Sequence, residues 1–123
     1  MIGYITLGTN NFERAASFYD ALLAEFGAQR VRDTERYIAW GTGPEQTALS
    51  IIKPFDEKPA TVGNGVMVAL YAGNQEKVHA VYEKAFELGA SDEGAPGPRG
   101  DNGFYGAYFR DLDGNKLCVF CIA

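Results

Sequence analysis

The chain has 123 residues, 46% of them hydrophobic, with 16 acidic against 11 basic side chains (net −5), two cysteines and one histidine. That length is one domain of ordinary size, able to bury roughly two-thirds of its surface and to fold without disulfides. An acidic balance without clustered Lys or Arg excludes a phosphate-backbone binder, and no apolar run reaches the roughly 18–20 residues of a membrane span. The opening Met1–Gly8 has no charged leader followed by a long apolar stretch, so the expectation is a soluble cytoplasmic protein with neither nucleic acid nor membrane as partner.

In chain order, Met1 to Leu7 is apolar and β-branched and reads as a strand. Thr9, Asn10 and Asn11 offer N-cap oxygens, with Glu13 three residues after Asn10 as a capping-box partner. Phe12, Ala15, Ala16, Tyr19, Leu22, Leu23 and Phe26 recur at helical spacing until Gly27. A further strand is expected around Gln29 to Asp33, then strands over Arg36–Trp40 and Thr47–Lys53 with a turn at Gly41–Pro44. Pro54 to Gly65 reads as a connecting stretch. Val66–Tyr71 opens the same series again, followed by a helix whose apolar stripe is Val78, Val81, Tyr82, Ala85 and Leu88, closed by Gly89. Glu93 to Gly103, rich in Gly and Pro, reads as a loop. Phe104–Arg110 and Lys116–Ile122 are strands joined by the Asp113-Gly114-Asn115 turn.

The series is written twice. Displaced by 63 residues, Tyr4–Leu7 falls on Met67–Leu70, Asn11 on Asn74 and Tyr19 on Tyr82; displaced by 62, Gly27 falls on Gly89. Displaced by 68, Tyr37–Trp40 falls on Tyr105–Tyr108 and Leu49-Ser50 on Leu117-Cys118. The expected organisation is α+β, a single domain over 1–123 made of modules 1–54 and 65–123 and a linker 55–64. The second module carries six extra residues within 93–103, with Arg99 among them, and a segment the repeat does not require is a candidate for function.

These residues resemble a known family. Ile2–Gly8 running to Phe18-Tyr19, Gly63–Ala69 and Ala107–Leu117 are similar to the vicinal oxygen chelate superfamily of glyoxalase, bleomycin-resistance and dioxygenase-like proteins. The resemblance implies two βαβββ modules forming a curled mixed sheet around a cleft, commonly in a homodimer. It implies metal ligands on the first and last strand of each module, which here fall on Tyr4, Ser50, Met67 and Cys118. None is the expected His or carboxylate, and Tyr, Ser, Met and Cys form no plausible set for a divalent ion that polarises vicinal oxygens. No metal and no cofactor is therefore expected.

Single features narrow the reading. Cys118 and Cys121 satisfy C-x-x-C, but on one strand their α-carbons lie about 10 Å apart on opposite faces, too far for a disulfide. Asp111–Asn115 imitates a calcium loop yet has Ile122 where the acidic twelfth position belongs, leaving a turn. His79 falls off the apolar stripe, which makes it a surface residue. The aromatics either fill a curled sheet or line a pocket, and alternation allows only one member of each neighbouring pair to face it. The expected function is binding of a small aromatic or apolar molecule by Tyr4, Trp40, Ser50, Met67, Arg99, Tyr108 and Cys118, with Arg99 meeting an anionic group. The alternatives are a glyoxalase-like lyase or isomerase, or dioxygenase-related enzyme, using groups such as Tyr4 and Cys118, and a structural or dimerising module.

Overall fold

The computed structural model describes residues 1–122. Two units follow one another, Met1–Val62 and a second beginning at Gly63. The first contains β1 (Tyr4–Gly8), α1 (Phe12–Ala24), β2 (Gln29–Asp33), β3 (Tyr37–Gly41) and β4 (Ala48–Ile52). Its open sheet has the order β1-β4-β3-β2, with β1 parallel to β4 and the other pairs antiparallel. The second contains β5 (Val68–Tyr71), α2 (Gln75–Glu87), β6 (Ser91–Pro98), β7 (Phe104–Arg110) and β8 (Lys116–Ile122), in the equivalent order β5-β8-β7-β6. The α+β class and the doubled βαβββ unit read from the sequence are the observed ones. No helix among the described residues is long and apolar enough to cross a membrane.

Each helix starts on the asparagine that the 63-residue displacement pairs. Asn11 accepts from the Arg14 amide at 3.1 Å and Asn74 from the Lys77 amide at 2.8 Å, satisfying one of the amides a helix start leaves without an intrahelical partner. Asn10 is not the cap, and the expected capping box with Glu13 does not form. The Asn10 side chain instead closes a pair of hydrogen bonds with Ala60, donating at 3.0 Å and accepting at 2.6 Å, which ties residue 60 to the first unit. Gly27 and Gly89 follow the helices with φ of 75° and 99°, a left-handed conformation that only glycine adopts without cost.

In each unit the helix covers one face of the sheet, and the core lies between them. Ala15, Phe18, Tyr19, Leu22 and Leu23 of α1 are buried, as are Leu7, Ile38, Trp40, Leu49 and Ile51 of the strands. Val78, Val81 and Ala85 of α2 are buried, with Ala107, Phe109, Leu117, Val119 and Cys121. A fully buried leucine such as Leu22 or Leu117 contributes roughly 1.5–3 kcal/mol through apolar burial.

Two expectations are corrected here. Residues 93–98 are not loop but the greater part of β6, an eight-residue edge strand paired with β7. The sequence SDEGAPGP has no apolar alternation, and its prolines are tolerated because an edge strand leaves donors unpaired and because the register shifts twice, between Asp92 and Gly94 and between Gly94 and Gly97. The second correction is one of register. Trp40 lies opposite Leu49 and Phe109 opposite Leu117, so Phe109 is the counterpart of Trp40. Tyr108 is the counterpart of Ala39, since these lie opposite Cys118 and Ser50. The displacement for this strand is thus 69, not 68, and a shift of one residue exchanges the two faces of a strand.

Candidate functional site

The face of each sheet turned away from its helix carries the candidate residues. In the first unit alternation and register place Tyr4, Thr6, Tyr37, Ala39, Gly41, Ala48 and Ser50 on that face. A shallow cavity of about 470 Å³ opens over it, lined among others by Tyr4, Val31, Arg32, Tyr37, Gly41 and Ala48. Tyr4 is 64% exposed. Ser50, fully buried beside it, donates to the Ile5 carbonyl at 2.9 Å, and its oxygen lies 2.8 Å from Thr6 Oγ1. With the one hydroxyl proton of Ser50 committed to Ile5, Thr6 is the donor of that second bond.

Trp40 does not join this face. It points to the helix side, 2% exposed, packs against Tyr19 at 5.8 Å between ring centroids and donates its indole N–H to Asp20 at 2.8 Å. The expectation of Trp40 as a pocket residue is therefore corrected by the same one-residue shift that separates it from Tyr108. Of the lining residues only Tyr4 was expected from the sequence; Arg32 and Val31 are among those missed, because the register shift between Arg30 and Arg32 hides their alternation.

In the second unit Arg99, Tyr108 and Cys118 come together. Tyr108 lies directly across from Cys118 on β8 and from Gly94 on β6. The Arg99 guanidinium sits 5.3 Å from the Tyr108 ring centre, within cation–π range, and Lys116 Nζ lies 5.6 Å from the same centre. Lys116 was not anticipated, although it stands two residues before Cys118 on one strand and so shares its face. Cys118 is fully buried, and that burial pushes its thiol up to about 11, against a smaller opposing pull from Arg99 and Lys116. It is a protonated thiol at neutral pH, not a ready nucleophile. Met67 stands one residue before β5 and is 43% exposed.

Arg99 is held by backbone rather than by an acid. Its Nη2 donates to the Ala95 carbonyl at 2.6 Å and its Nη1 to the Pro98 carbonyl at 3.3 Å. It lies over two glycines. A Cβ on Gly94 would come within 3.2 Å of Arg99 Nη2 and 3.0 Å of the Tyr108 ring, and one on Gly97 within 3.1 Å of Arg99 Nη1.

The remaining motifs have structural explanations. Cys118 and Cys121 are both buried and free, on opposite faces of β8. Asp111 accepts from the Asp113 and Asn115 amides and fixes the turn that Gly114 makes at φ 93°. His79 is exposed on α2 and its Nε2 lies 2.7 Å from the Tyr105 hydroxyl.

With this geometry in hand, comparison with known proteins decides the family. The model of the Glyoxalase/Bleomycin resistance protein/Dioxygenase superfamily matches residues 1–119. The chain belongs to that superfamily. Among solved structures, a glyoxalase/bleomycin resistance protein from Albidiferax ferrireducens T118 is 31% identical, with 98% of each chain covered and a TM-score of 0.89. A lactoylglutathione lyase from Agrobacterium tumefaciens (21% identity, 98% of this chain and 92% of that one, TM-score 0.72) shares the fold. So does the fosfomycin resistance protein FosX from Mesorhizobium loti (19%, 98% and 90%, TM-score 0.69). No curated protein matches the chain.

A metal of the kind found in this glyoxalase superfamily needs hard or borderline donors. Among the described residues no three His, Cys, Asp or Glu side chains converge. At the four positions matched to ligands, the Ser50 proton is committed to a carbonyl, Cys118 is a buried neutral thiol, and Tyr4 and Met67 bring a phenol and a thioether. This donor set does not fit a hard divalent cation.

Proposed function

We propose that this superfamily member is a metal-independent binder of a small aromatic or apolar molecule, held on the open sheet face of one unit or the other: that carrying Tyr4 and Ser50 in the first, or that carrying Met67, Arg99, Tyr108 and Cys118 in the second. The observation that carries the reading is Cys118: at a position matched to a ligand of the family, it is a fully buried thiol directly across the strand pair from Tyr108. A thiol is a soft donor that suits a hard metal poorly, and buried it is out of reach for nucleophilic attack, whereas the aromatic side chains of this face offer the flat apolar surface that a small organic ligand buries. Two buried unpaired cysteines are in keeping with a cytoplasmic setting, and a homodimer is the assembly we expect from the family.

Metal analysis of protein purified without chelator, with add-back of zinc, nickel and manganese, should give no stoichiometric metal. Stoichiometric tight metal held at these positions would overturn the reading. A thermal-shift screen with aromatic antibiotics, glutathione conjugates and aryl acids should find compounds that raise Tm, because a ligand of the native state alone stabilises it. A flat response across the panel would favour a structural module instead. Light scattering of the purified protein reports the dimer.

A further inference from the structure

Resting on that binding reading, we infer that the open face of the second sheet is a receptor for an aromatic carboxylate or similar flat organic anion, whose charge is taken by Arg99 and Lys116 and whose ring lies along Phe120. Both cations stand on Tyr108, and neither has an acidic partner among the described residues. The acids nearest in sequence on β6 are engaged elsewhere. Glu93 accepts from Arg110 Nε at 2.8 Å, and Asp92 accepts from the Tyr82 hydroxyl at 3.0 Å and the Gly94 amide at 2.8 Å. In a chain of net charge −5, two cations that both approach one ring and lack an acidic partner make this part of the face locally positive, a place an anion would complete.

The composition of β6 gains a reason from this. Gly94 and Gly97 leave the space that the guanidinium occupies, and the Ala95 and Pro98 carbonyls fix its orientation. The extra Gly- and Pro-rich residues of the second unit therefore form a cradle that holds one arginine in place before any ligand arrives, which lowers the ordering cost of binding. The apolar part of the site adjoins it. Phe120, two residues beyond Cys118 on the same face, stacks on Phe104 at 5.1 Å and 7° between planes. Gly106, opposite Phe120, is where the Phe104 ring lies against the sheet, since a Cβ there would meet that ring at 2.7 Å.

The test is titration of the full chain with 2-naphthoate and with its neutral analogue 2-naphthamide, followed in ¹H–¹⁵N spectra at the Arg99 Nε–H and the amides of Tyr108, Cys118 and Phe120. Naphthoate should bind about tenfold tighter than naphthamide and lose that advantage at high salt. Arg99→Ala and Lys116→Ala should each weaken naphthoate by about fivefold or more and naphthamide by clearly less, so that the preference for the anion shrinks, and Arg99→Lys should recover part of the loss. The Lys116 side chain makes no hydrogen bond among the described residues and stands on β8 rather than β6, so its variant remains informative if the loss of Arg99 disturbs β6. Equal binding of the two probes, or naphthoate binding indifferent to both substitutions, would overturn the anion assignment and leave the binding reading standing. Failure of both probes to bind this face would overturn the two together.

Discussion

Trp40 and Asp20 are joined by a 2.8 Å hydrogen bond from the indole N–H to Oδ1, and the same carboxylate receives two further bonds from Arg30 at 2.9 and 2.7 Å. This hub attaches α1 to the middle and edge of the first sheet. Arg30 chiefly, with Trp40, holds the Asp20 carboxyl below its ordinary 3.8 against the opposing effect of burial. A carboxylate whose native pKa is depressed contributes stability that is complete above the unfolded value and disappears as pH falls through the native one. The urea midpoint of the wild type should therefore fall more steeply than that of Asp20→Asn as pH drops from about 5 through 3.8 and below. Trp40→Phe, which removes one bond and part of a buried ring system, should cost about 1–2 kcal/mol at neutral pH and leave ligand binding intact.

Cys118 gives the opposite pH signature. Its thiol, ordinarily ionising near 9.0, is pushed to about 11 in the folded chain by burial. Between those values the unfolded chain has lost a proton that the folded chain keeps, so stability should decline as pH rises from 9.0 to about 11. Cys118→Ala should flatten that decline. Iodoacetamide near pH 8 should label neither cysteine in the native protein and both after unfolding.

The equivalence of the two helix starts is measurable. Asn11→Ala and Asn74→Ala should each destabilise by about 1 kcal/mol, and the double variant by about the sum, because each asparagine caps its own helix with no shared partner. Asn10→Ala should act differently, loosening the Ala60 contact without fraying α1. Amide exchange at Arg14 and Ala60 separates the two effects.

The cradle beneath Arg99 predicts an effect on binding that exceeds its effect on folding. Gly94 has a φ of 156° and no room toward Tyr108 or Arg99, so Gly94→Ala should displace the guanidinium and weaken naphthoate binding about as much as Arg99→Ala does. Gly106→Ala should be mainly a stability lesion of about 1–3 kcal/mol, since its Cβ would lie 2.7 Å from Phe104 and 3.3 Å from the Val119 carbonyl. Denaturant midpoints and probe titrations on both variants distinguish the two outcomes.

What could be read from the chain beforehand follows a physical rule. The asparagine caps, the terminating glycines and the helix stripes are local signals, and the 63-residue displacement that pairs Asn11 with Asn74 made the duplication legible. Register was not, because aromatic residues at Tyr37, Trp40, Tyr105 and Tyr108 can be aligned in two ways one residue apart, and only the hydrogen-bonded partners choose between them. That ambiguity misplaced Trp40. β6 escaped notice because glycine and proline are loop signals in a sequence, yet its bulged edge position accommodates both. The two-residue spacing from Cys118 sets Lys116 on the same face, but a lysine directly after a turn reads equally as part of the turn, and only the ladder to Arg110 assigns it to the strand.

The register that pairs Ala39 with Tyr108 sets the two open faces apart. At one point of a shared lattice the first copy keeps a methyl group and a hollow, and the second has a ring bearing two cations. Their buried counterparts, Trp40 and Phe109, lie on the far side of each sheet and secure the framework independently. In a doubled framework of this kind the exposed face of each copy can change by substitution without either core being obliged to follow.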